Sequence, residues 1–163
     1  MSKKFKLLPL IDLDKEIQLQ VLKIRNEESV RKWMYSDHEI SEDEHLAWIN
    51  KLKDDKKNIV YAVMTEELES IGVISINDID IKHKKTNWGF YIGEKYQGLG
   101  IGFFLEIMFI EYCFDKMGLE KIYCEVIEGN TSVLKLHKKL LFQEEGYLRS
   151  HIIKNGVRIG VHF

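Results

Sequence analysis

Apolar residues recur along this chain with two periods, and the switches between them lay out the elements. A short apolar run over 4–10 reads as a first strand. Asp12 or Asp14 then stands where a helix cap is needed, ahead of a helix running to about Arg25. A short helix is expected from Glu28 to Met34. Ser41-Glu42-Asp43-Glu44 has the spacing of a capping box, and the helix it opens carries Leu46, Ile49 and Leu52 along one face.

The period then drops to two. Residues 58–65 and 71–81 read as strands joined by a polar turn around Glu66 to Ser70, and 86–93 as a third strand after the charged turn His83-Lys84-Lys85. A long apolar helix to about Met117, stopped by Gly118, follows a glycine-rich turn. A strand over 121–127, a helix from Thr131 to Leu140 and a strand over 142–152 come next. Asn155-Gly156 is a hairpin signal, and a last strand runs to the C-terminus. The order predicts a mixed α/β domain spanning 1–163: a mostly antiparallel sheet of about seven strands with about four helices.

Composition narrows the function classes. Apolar residues make up 45% of the 163 and charged residues 31%, as in an ordinary globular protein. A net charge of −2 gives no sign of a nucleic-acid partner. No apolar run nears the ~20 residues of a membrane span, and Met1 to Lys6 make a poor signal peptide. Cys113 and Cys124 read as buried apolar residues rather than a disulfide, which suits the cytoplasm. Asn77, Asp78 and Asp80 share a strand, but no His or Cys stands at ligand spacing, so no metal is expected.

The chemistry concentrates in "YIGEKYQGLGIGFF", residues 91–104. Backbone amides at a helix N-terminus carry partial positive charge, and glycines there let a phosphate approach. A P-loop needs Lys-Ser or Lys-Thr where this chain has Phe103-Phe104, and a dinucleotide fingerprint needs its last glycine one residue beyond Gly102. Gln97, Gly100 and Gly102 match Gln-x-x-Gly-x-Gly instead. This resembles the acyl-CoA pyrophosphate loop of the GCN5-related N-acetyltransferases, and the element order of the whole chain is similar to that family.

The resemblance implies acetyl-CoA as cosubstrate and a sheet splayed at residues 88–92, where a pantetheine arm adds backbone hydrogen bonds. Gly89 suits a bulge there. It implies coenzyme contacts from Phe90, Ile92, Gln97, Gly98, Leu99, Gly100, Ile101, Gly102, Asn130 and Lys138. Asn130 opens the second motif, and His137 stands where relatives carry a Tyr, making it the candidate acid for the departing thiolate. Glu125 is the candidate base, and Tyr91 lies on the strand that polarises the acetyl carbonyl.

The N-terminal half, "IRNEESVRKWMYSDHEISEDEHLAWINKL", resembles the N-acetyltransferases of pseudaminic acid biosynthesis through Arg25-Asn26, Trp33-Met34-Tyr35, and His45 with Trp48. That resemblance implies a UDP-linked amino-dideoxy sugar as acceptor, bound by Arg25, Met34, Tyr35, His45, Trp48 and Asn77. Acetylation of a protein N-terminus, as in ribosomal-protein relatives, and a non-catalytic acyl-CoA-binding module are the other readings. Exposed strand edges near the C-terminus would allow a homodimer.

Overall fold

Two sheets that part company beside the glycine-rich turn define the architecture. The computed structural model describes residues 5–163, so Lys4 of the first strand and most of Met1–Lys6 lie outside the described residues. The strands are β1 (Lys6–Pro9), β2 (Ile59–Met64), β3 (Ser70–Asp80), β4 (Lys85–Ile92), β5 (Lys121–Tyr123), β6 (Val126–Ile127), β7 (Tyr147–Lys154) and β8 (Val157–His162). The helices are α1 (Lys15–Asn26), α2 (Glu28–Arg31), α3 (Glu42–Leu52), α4 (Ile101–Glu111) and α5 (Thr131–Lys139). Strands β1 to β5 form one sheet in sequence order, antiparallel except for β4 with β5, and β6-β8-β7 form the other.

Local chemistry explains the helix starts. The Asp14 side chain accepts from the Ile17 amide, and Ser41 accepts from the Glu44 amide. Strand β2 is buried on both faces, and its alternation sorts two cores. Val60, Ala62 and Met64 pack with Val21 of α1 and Ile49 of α3. Val63 packs on the other face with Trp88, Leu105 and Phe109 of β4 and α4.

The mixed α/β fold with a mostly antiparallel sheet is as expected, with eight strands and five helices among the described residues, set in a five-stranded and a three-stranded sheet. Three details are corrected. The strand expected over 121–127 breaks at Cys124-Glu125, and its second half pairs with β8. The strand expected from 142 begins at Tyr147, and α4 gives way at Tyr112 to a π-helical turn through Lys116 before Gly118 turns the chain at φ +66.

Gly89 sits in no bulge. The β3–β4 register runs unbroken from Gly72↔Ile92 to Asn77↔Asn87, and the irregularity lies between Asn77 and Asp80. The opening comes from the other edge. β4 pairs with β5 only through Lys85, Thr86 and Asn87, so Trp88 to Ile92 have no strand neighbour on that side. Their outward amides and carbonyls line a wedge, which is what positions the site.

Candidate active site

Two cavities meet at Tyr91. The larger, about 620 Å³, lies beside the free edge of β4 and between the starts of α4 and α5. Phe90, Ile92, Gln97, Gly98, Gly100, Ile101, Gly102 and Asn130 all line it. Gly98 and Gly100 adopt φ of +71° and +76°, and a Cβ on either would meet nothing within 4 Å. They are glycine for conformation, not for space. At Gly102 an added Cβ would sit 3.4 Å from Leu136 of α5, an ordinary contact, so space does not demand glycine there. No side chain caps α4 and no acidic residue stands in its first turn, so its amides and dipole are open to an anion. Gln97 holds the turn in place by donating from Nε2 to the Ile92 carbonyl at 2.8 Å. Leu99 is exposed and does not line the cavity.

The second cavity, about 560 Å³, lies between α3 and the α1-facing side of the sheet. Arg25, His45, Trp48, Asn77 and Tyr91 line it together with Glu44, Lys51, Asp55 and Ser75. His45 is buried, its Nε2 is 2.9 Å from the Gln18 carbonyl, and its ring lies 5.5 Å from that of Trp48. Asn77 donates to Ser75 Oγ at 3.2 Å. Burial pushes the Tyr91 phenol well above its ordinary range, against a smaller opposing pull from Arg25, so it stays protonated.

Burial likewise pushes His45 down, opposed by its bond to Gln18. The fold holds the imidazole neutral, while the unfolded chain takes up a proton near its ordinary value of about 6.5. Stability from this group is therefore present above that pH and lost as pH falls. The expected result is a melting temperature that drops between pH 7 and 5, with a smaller drop in His45→Asn, read by calorimetry across that range.

Other expected residues fall differently. Met34 lines the larger cavity, not the second. Tyr35 and Glu125 line neither but are joined, the phenol donating to the Glu125 carboxylate across the break between β5 and β6. Alternation turns Cys124 toward α5 and Glu125 toward the 32–41 segment. Lys138 faces away from the larger cavity, and Lys139 lines it instead, with Nζ 4.4 Å above the Phe103 ring. His137 also lies outside it. It is buried between Trp88 and Phe142, with Nε2 3.4 Å from Glu106.

The segment 32–41 carries Met34 and Tyr35, and three side chains fix it. Asn26 makes paired bonds to the backbone of Ile40, at 2.8 and 2.9 Å. Arg25 Nη2 donates to Ser36 Oγ at 2.6 Å. Lys154, buried on β7, donates to the carbonyls of Arg31, Met34 and Ser36 at 3.2, 2.6 and 3.1 Å. Nothing in the sequence around Lys154 marks it out. Lys154→Met removes a donor from three carbonyls, of which only that of Arg31 keeps another, the Met34 amide, and is expected to cost about 1–3 kcal/mol of stability. It should also raise the acceptor KM more than it lowers kcat, measured by denaturant titration and steady-state rates.

This arrangement agrees with what the chain is similar to. A model of the acetyltransferase (GNAT) domain matches residues 6–143. The chain belongs to the GNAT acetyltransferase family. A spermidine N(1)-acetyltransferase of Vibrio cholerae is 25% identical over 82% of this chain and 77% of its own length. A putative ribosomal N-acetyltransferase of Bacillus subtilis is 24% identical over 86% of this chain and 79% of its own. The fold matches a crystal structure of the Vibrio cholerae spermidine enzyme with CoA and spermine at a TM-score of 0.88 and 23% identity, over 97% of this chain and 92% of that one. The acetyltransferase thus uses acetyl-CoA as cosubstrate, and the open amides at Gly98 to Gly102 fit its linked phosphates. Among the described residues no three His, Cys, Asp or Glu side chains gather as a metal would need, and no helix is long and apolar enough to cross a membrane.

Proposed function

We propose that this acetyltransferase acetylates the 4-amino group of a UDP-linked amino-dideoxy sugar, UDP-4-amino-4,6-dideoxy-N-acetyl-β-L-altrosamine or a close stereoisomer, by direct transfer in a ternary complex. One observation carries the reading: the state of Arg25. Arg25 lines the second cavity; its Nη1 is buried without a hydrogen-bond partner, and Nη2 is held only by a neutral hydroxyl. Burial pushes the guanidinium down from its ordinary range, the largest influence on it. An unpaired buried cation is costly until an anion meets it. A diphosphate supplies that anion and accepts from a guanidinium through two oxygens. Trp48, partly exposed beside His45, offers an aromatic face for a uracil or sugar ring.

The chemistry follows from placement. Amides of residues 98–102 hold the coenzyme's phosphates, and Asn130 and Lys139 close the opposite wall. Free N–H groups on the open edge of β4 point at the acetyl carbonyl and stabilise the negative charge that develops on its oxygen. Glu125, oriented by Tyr35 but outside both cavities, takes the proton from the attacking amine through water. Tyr91 spans both cavities and keeps its phenolic proton, so its hydroxyl serves the departing sulfur in place of His137.

A second reading has its own support. Glu44 and Asp55 line the same cavity, and a polyamine would use them; the Vibrio cholerae relative is a spermidine acetyltransferase by name. A thiol-release assay over UDP-amino sugars, spermidine and peptides with N-terminal alanine separates these. Release with the sugar alone is expected. Release with spermidine or peptide alone overturns the acceptor, and none with any amine leaves an acyl-CoA-binding module.

A further inference from the structure

Behind α5, on the face turned from the coenzyme cavity, a third cavity of about 400 Å³ opens between α5, β5 and residues 140–145. Cys124 and His137 both line it. Cys124 Sγ lies 3.6 Å from His137 Nδ1, and His137 Nε2 lies 3.4 Å from Glu106 Oε1. The three come from three elements: the break after β5, α5 and α4. Glu106 is fully buried, and neither of its carboxylate oxygens nor His137 Nε2 has a hydrogen-bond partner of proper geometry. Packing alone does not call for a carboxyl group there; burial pushes Glu106 up from its ordinary range, opposed by His137, and Leu or Met would fill the space without a polar group to satisfy. A thiol facing one imidazole nitrogen, with a carboxylate behind the other, is the arrangement that activates a nucleophile.

We propose that Cys124, His137 and Glu106 form a thiol–imidazole–carboxylate relay, and that the cavity over Cys124 admits a low-molecular-weight disulfide that exchanges with it. With its proton already on His137 Nδ1, the Cys124 sulfur attacks one sulfur of the disulfide. That S–S bond breaks, a new one forms to Cys124, and the leaving thiolate takes the proton from the imidazolium. Cys124 is oxidised and half of the disulfide is reduced. Burial opposes charge on His137, but the Cys124 sulfur and the Glu106 carboxylate outweigh it and raise the imidazole to about 9. Charged groups at the rim, Lys121 with Glu145 and His162 with Glu144, suit a zwitterionic disulfide. Cys113 is the internal contrast, fully buried in the core and pushed up to about 12 by that burial. The site is separate from acetyl transfer, and neither acceptor reading bears on it.

The test incubates the whole protein with oxidised glutathione and maps adducts by peptide mass, natively and in urea. The expected result is an adduct on Cys124, formed at least tenfold faster in the folded protein than in the unfolded chain, with Cys113 untouched until unfolding. His137→Gln is expected to remove that advantage. Native Cys124 reacting no faster than the unfolded chain overturns the relay, as does a folded His137→Gln protein that reacts like the parent. If that variant does not fold, the native-to-unfolded comparison on the parent decides alone.

Discussion

Arg25→Met is expected to lower kcat/KM for the UDP-amino sugar about a hundredfold, or about 2.7 kcal/mol at 1.36 kcal/mol per decade. That is the scale of one or two hydrogen bonds to a charged group. Most of the loss should appear in KM, because the guanidinium grips the diphosphate alike in ground and transition states. Met keeps an apolar stem and gives up only the charge and the Ser36 bond. A loss confined to spermidine would end the sugar reading, whatever the fate of the coenzyme site.

Glu125→Gln is the second large effect, a fall in kcat of at least tenfold at neutral pH, within the range for loss of a general base. The acidic limb of the kcat/KM profile should flatten as well. Gln keeps a partner for Tyr35, whose phenol is pushed up first by burial and then by Glu125. The 32–41 segment should therefore hold its place, and acetyl-CoA affinity by calorimetry should stay within threefold. An unaltered pH profile would leave Glu125 as a positioning group for Tyr35 and pass the base to solvent.

Much of the candidate site was legible because its signals are local. Positive φ at Gly98 and Gly100 is a demand of the turn itself, and the sequence answers it within five residues. Side chains that depend on helix phase were harder. Lys138 and Lys139 are neighbours, and the hundred degrees between them decides which reaches the larger cavity. Glu106 left a trace, a lone carboxylate inside the apolar run 101–110. Lys154 left none, because its partners are backbone carbonyls about 120 residues away, which no residue type announces.

The chain alone determined its helix caps, the hairpin at Asn155-Gly156, the glycine turn and the alternation that buries β2 on both faces, since each depends on neighbours within a few residues or on strict period. Tertiary structure decided where β5 leaves β4, why His137 turns to Glu106 rather than to the larger cavity, and that Arg25 Nη1 is left without a partner. Those outcomes depend on which distant groups share a buried space, and there the cost of an unpaired charge outweighs any local preference.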